Sequence, residues 1–247
     1  VGSICYQHGT ARPPRIYSRS QVFYLDTDLF GDSDGLIPTA LIDGKRDTAE
    51  LAELARLCEE ETDAAERLAL VDNGLMLWLA LQAGDSSQRE VDRILEQYID
   101  QLDRVRDSGA AVAGFVNRPR NANILALLHL HSLVLQQINE ENLKANPYRG
   151  LSDLQVFQRV LGPGERSALF SSLAEVNRTF EKRHHRMYFF YLNCGRVGKP
   201  EIARIEVPEW VANDPARLDF VHTALVEQCR VPDGFPYVLV RAHELER

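Results

Sequence analysis

The chain has 247 residues, with 28 Lys and Arg against 36 Asp and Glu, a formal net charge of −8, and 45% hydrophobic residues. This is the composition of an ordinary folded protein, which excludes disordered, collagen-like and disulfide-scaffold classes. No run of about twenty apolar residues is present to span a bilayer, and so acidic a chain is not one that coats nucleic acid without a local basic strip, metal ions or a partner.

The elements follow in order. Alternation in Val1 to Tyr6 and in Gln21 to Leu25 predicts two strands joined through the turn Arg12-Pro13-Pro14-Arg15. Asp26 to Gly35 reads as a polar loop. A helix is expected from Asp47 to Glu61, with Leu51, Leu54, Ala55 and Cys58 on one face and Asp47 or Thr48 as its cap. The apolar run Leu68 to Val71, closed by Asp72-Asn73-Gly74, predicts a buried strand. A long amphipathic helix from Ser87 to Ser108 and a second buried strand from Ala111 to Val116 follow, the strand broken by Asn117-Arg118-Pro119-Arg120. Asn123 to about Gln137 reads as a leucine-rich helix, and Leu151 to Phe170 contains the turn Gly162-Pro163-Gly164. Met187 to Leu192 and Ile202 to Val207 are expected to pair across Gly195 to Pro200. Leu218 to Gln228 is read as a helix, and Arg241 to Arg247 as the start of another. This order predicts a mixed α/β sheet with helices on its faces and no clean domain boundary.

Cys5, Cys58, Cys194 and Cys229 lack C-x-x-C spacing, so reduced thiols in a cytoplasmic protein are expected rather than a zinc module. The first residue is Val1, with no initiator Met and no signal-peptide pattern, and the expectation is a chain that starts inside a longer protein. Several motifs fail on spacing. Asp26-Thr27-Asp28 with Asp32 to Gly35 lacks the ligand order of a calcium loop, and Gly162-Pro163-Gly164 lacks a phosphate-loop pattern. His243-Glu244 is not followed by a second zincin histidine, His184-His185 reads as a surface turn, and His129 and His131 read as ordinary helix residues. One constellation remains. Asp72 closes a buried strand and Glu50 lies on the preceding helix, and carboxylates at such places need a cation or another partner. Carboxylates converging in this way hold the ions of two-metal nucleases. Spacing alone favours the plainer reading, Asp72 as a turn cap after the strand and Glu50 as a solvated helix acid.

The segments together resemble the NurA nucleases, in their bacterial form. Arg46 to Leu51 and Leu70 to Leu75 match the helix acid and the strand acid, and Ala113 to Arg120 resembles the family's "GYV-RPR" segment. Leu151 to Asp153 with Leu161 to Ser167 forms the next block. Ala203 to Ala212 resembles "RIE-P-W", and Gly234 to Leu239 with Ala242 to Glu244 resembles "GYP-L-AH". The resemblance implies an RNase H-like mixed sheet flanked by helices, with helical insertions, spanning residues 1–247. It also implies a manganese-dependent nuclease, with magnesium as the alternative ion, that acts on DNA ends and single-stranded DNA. The implied activities are 5′-to-3′ exonuclease and single-strand endonuclease, exercised as a homodimer beside a HerA-type hexameric helicase.

Carried over by position, the family's site residues are Glu50, Asp72 and His243, with Tyr191 as an aromatic near the site. Arg118 and Arg120 are candidate phosphate contacts, or else a solvated turn. The family's first acid stands in an Asp-Gly-Ser motif that these residues lack. Asp43-Gly44-Lys45 has the wrong order, so the expectation is a domain without its extreme N-terminal strand. The competing expectation is a non-cutting dimeric scaffold that docks on a hexameric helicase and guides strands. Ile124 to Ile138 carries leucines on more than one face, which predicts burial by other elements or by a second subunit.

Overall fold

A computed structural model of the protein describes residues 2–7, 12–18, 38–78, 88–232 and 234–245. Strands β1 (Gly2–Cys5) and β2 (Arg15–Ser18) form an antiparallel pair. Helix α1 (Thr39–Glu60), strand β3 (Leu68–Val71), helix α2 (Gln88–Asp107) and strand β4 (Ala111–Asn117) follow. Helices α3 (Asn123–Ser132), α4 (Glu140–Lys144) and α5 (Asp153–Val160) precede the short strand β5 (Phe170–Ser171) and helix α6 (Glu175–Glu181). Strands β6 (Met187–Asn193) and β7 (Ile202–Pro208) lead into helices α7 (Glu209–Ala212), α8 (Pro215–Arg230) and α9 (Tyr237–Leu245).

The main sheet has the order β3-β4-β7-β6-β5. Strands β3 and β4 are parallel, and every other pairing is antiparallel, with Gly114 opposite Glu206 and Leu192 opposite Ala203. This is the expected mixed α/β, RNase H-like arrangement. Alternation along the strands divides the core into two layers, since successive side chains leave a strand on opposite faces. Ala111, Ala113 and Phe115 join Ala203, Ile205 and Val207 under α8 and α9, while Val112 and Ala69 pack with α1 and α2 on the other face. Helix α2 shows why it docks there: Val91, Ile94, Leu95, Tyr98, Ile99, Leu102 and Val105 recur at the three- and four-residue spacing of one helix face. Arg104 ties the helix to α1 through both oxygens of Glu59, at 2.8 and 2.6 Å.

Three expectations change. Helix α1 begins at Thr39, not near Asp47, and Thr48 back-bonds to the Gly44 carbonyl inside it rather than capping it. Two forces extend the helix: Ala40, Leu41 and Gly44 are buried, and Arg46 lies near Asp43 and Glu50 at helical i,i+3 and i,i+4 spacing. The leucine-rich helix stops at Ser132 and resumes only as a 3-10 turn at Leu135–Gln137. The partner of β1 is Arg15–Ser18, while Gln21 to Leu25 and Asp26 to Gly35 lie outside the described residues. Strand β3 is at the edge of its sheet, with β4 its one strand neighbour among the described residues. A cavity of about 870 Å³, lined by Cys5, Tyr6, Arg15, Arg67, Leu68 and Leu70, lies between it and β1–β2.

Candidate active site

Leu68 and Leu70 of β3 pack toward the α8–α9 layer, and Val71 toward the opposite one. Residue 72 continues that alternation toward α9. There the Asp72 Oδ2 lies 2.5 Å from Nε2 of His243, a residue 171 positions later. The imidazole is oriented by packing: its ring lies 5.9 Å from that of Phe235, tilted by 32°, and Phe235 stands edge-on to the buried Phe115 of β4 at 5.3 Å. Helix α9 is anchored at its start by the Val238 amide, which donates to Gln228 Oε1 at 2.8 Å. Both members of the pair are partly exposed, 33% for Asp72 and 50% for His243, so the pair is open to solvent.

The turn after Asp72 is held from beneath. Glu206 of β7, 4% exposed, accepts from the Leu75 amide at 2.9 Å and the Met76 amide at 3.3 Å through Oε2. Its Oε1 is bound by Arg204 through Nε at 3.0 Å and Nη2 at 2.8 Å. A buried carboxylate and guanidinium require this mutual neutralisation, because an unpaired charge there is strongly disfavoured. Two glycines make the approach possible. A Cβ on Gly114 would stand 2.5 Å from the Asn73 carbonyl oxygen, and one on Gly74 would stand 2.8 Å from Glu206 Oε2.

Glu50 lies on α1, 3.7 Å from Arg46. With Asp47 and Glu206 it raises the buried Tyr98 phenol above its usual range, burial being the larger cause. Burial also lifts the Asp47 carboxyl, and Arg46 only partly opposes this. Asp43, Asp47, Asn73, Trp78, Arg204 and Glu206 line a cavity of about 320 Å³ on this side. Asp72 and His243 are donor types that a divalent ion accepts, and they fit one flank of such an ion. Two donors do not complete its shell. No cluster of three or more His, Cys, Asp or Glu placed to hold a metal occurs among the described residues.

Tyr191 stands apart from this pair. It is fully buried, stacked on Phe157 at 4.4 Å, and its hydroxyl donates to Asp153 at 2.7 Å. Burial and that bond raise the phenol pKa, against a smaller opposing effect of Arg204. Asp153 in turn accepts from the Ile124 and Leu125 amides at the start of α3. Arg118 follows β4 in a left-handed conformation, φ 48°, largely exposed and 3.7 Å from Glu201, and Arg120 is also exposed. His185, read from sequence as a surface turn, is fully buried between Asp103 at 2.8 Å and the Trp210 indole N–H at 3.1 Å. His129 is buried, with Nε2 2.8 Å from the Asn142 carbonyl. Arg204 and Glu206 are not among the site residues expected from the sequence. The signal was available, since two charges at i and i+2 inside the apolar strand Ile202 to Val207 must share one face.

A family model described as the NurA domain matches residues 7–247. No curated protein and no solved structure matches.

Proposed function

Since the chain belongs to the NurA family, a family of nucleases associated with the processing of DNA ends, we propose that it is a metal-dependent deoxyribonuclease. In this reading it trims ends 5′-to-3′, cuts single-stranded DNA, uses manganese, and works as a homodimer beside a HerA-type hexameric helicase. The observation that carries the reading is the Asp72–His243 pair, where a strand-end acid and an α9 imidazole meet at 2.5 Å on an accessible edge. A divalent ion, when bound, supplies an activated water and a counter-charge for the leaving oxygen. The chain's own part is different. Asp72 would hold one side of the ion, and His243 would serve either as a second ligand or, with its imidazole fixed against Phe235, as the group that holds and passes a proton at Nε2. Arg118 and Arg120 would contact phosphate oxygens. Glu50 is proposed as a further ligand from α1.

The test is digestion of linear DNA with manganese by the wild-type chain and by Asp72→Asn. Cutting that EDTA abolishes and that the variant loses supports the reading. Equal cutting by both proteins overturns it. A second reading, a helicase-docking scaffold that does not cut, is favoured by the incomplete donor set among the described residues. Absence of cutting by the wild type under every divalent ion tried would select it.

A further inference from the structure

We propose that Glu206, held by Arg204, is a positioning residue that sets the place of Asp72. The inference rests on the reading of Asp72 as a site residue. The two oxygens of Glu206 divide the work: Oε1 takes the guanidinium, and Oε2 takes the Leu75 and Met76 amides. The guanidinium is itself held over the Phe189 ring, with its carbon 3.7 Å from the centroid. The ion pair by itself is weak evidence for a stabilising role, because well-packed apolar side chains in its place are often as good or better. What apolar side chains cannot do is accept two backbone amides.

Those amides need it. They come directly after the turn that carries Asp72, on an edge strand whose one strand neighbour among the described residues is β4. Nothing in the ladder of β3 reaches past Val71, whose partner is Gly114. The turn is therefore gripped between the bare backbone of Gly114 and the carboxylate of Glu206, with Gly74 leaving room for the second contact. On its other side the same turn presents Asp72 to His243. A supporting group one layer away from a metal-site acid acts by fixing its geometry.

Two double variants separate this role from a structural one. Glu206→Gln with Arg204→Met removes both charges but keeps a side-chain oxygen for the two amides. Glu206→Leu with Arg204→Met removes both charges and the acceptor. Manganese-dependent cutting of linear DNA is expected to stay within about fivefold of wild type in the first and to fall about a hundredfold in the second. Amide exchange at Leu75 and Met76 is expected to quicken by at least about tenfold in the second alone, with β6 amides unchanged. Equal cutting or equal exchange in the two doubles overturns the proposal. Should the leucine double not fold, wild-type exchange decides. Leu75 and Met76 amides that exchange as fast as those of Asn73 and Gly74 overturn it, and protected ones support it. Asp72→Asn run alongside distinguishes the failures: an active Asp72→Asn sinks the site reading, whereas an inactive one beside an active leucine double sinks only the positioning role.

Discussion

Asp72 and His243 are joined Oδ2 to Nε2 although 171 positions separate them, and the imidazole reaches the acid because α9 is packed through Phe235 onto Phe115 of β4. Both partners are partly exposed, so the bond contributes about 0–1 kcal/mol to folding. Asp72→Asn is therefore expected to leave thermal unfolding nearly unchanged while cutting falls by orders of magnitude. Glu50→Gln is expected to do the same. A calorimetric scan beside a digestion time course checks both, and a variant that unfolds early and keeps cutting contradicts the assignment.

Tyr191 has its hydroxyl on Asp153 inside the core, away from the Asp72–His243 pair. Tyr191→Phe removes one hydrogen bond to a charged acceptor, with an expected cost of about 1.5–3 kcal/mol. Cutting per folded molecule is expected to match wild type. A large loss of rate with normal stability would place the phenol at the chemistry instead.

Arg118 and Arg120 are exposed beyond the end of β4, and Arg118 is only loosely paired with Glu201. If they touch phosphates, Arg118→Ala and Arg120→Ala each weaken DNA binding similarly across sequences. Each is also expected to lower the slope of log affinity against log salt by about one. Fluorescence anisotropy at several salt concentrations measures this, and an unchanged slope returns the pair to a solvated turn.

His185 is buried against Asp103 and Trp210, with Arg106 and Arg183 nearby. Burial lowers its pKa from 6.5, the two arginines add to this, and Asp103 opposes it. The folded state thus favours the neutral ring. Its contribution to stability is fully present above about pH 6.5 and is lost as pH falls toward the folded pKa. The melting temperature is expected to fall between about pH 7.5 and 5, and His185→Gln is expected to flatten that slope. Parallel slopes in the two proteins would refute it.

The leucine-rich segment leaves apolar side chains outside, with Leu128 47% and Leu135 80% exposed. A homodimer that covers them is expected to sediment at about twice 28.0 kDa at micromolar concentration. Leu128→Glu with Leu135→Glu is expected to return a monomer. A wild-type monomer at ordinary salt contradicts the assembly.

The sequence by itself determined most of the sheet. Leu68–Val71, Ala111–Asn117 and the pairing of Met187–Asn193 with Ile202–Pro208 follow from apolar runs, their alternation and their turns. It also carried the family, through short blocks in a fixed order, and it named Asp72 and His243. It did not reveal that these two touch, because their meeting depends on how α9 packs across the sheet, and no local pattern encodes a contact between distant segments. Helix α1 began eight residues early for a related reason: burial of Ala40, Leu41 and Gly44 by tertiary partners outweighs the weak helix preference of Asp43-Gly44. Tyr191 reads as a site aromatic in sequence and as a core residue in three dimensions, since a phenol's role is set by what its hydroxyl meets. Arg204 and Glu206 show the converse. Their burial was legible as charges inside a strand, but only the folded chain supplied the two amides that give the carboxylate its use.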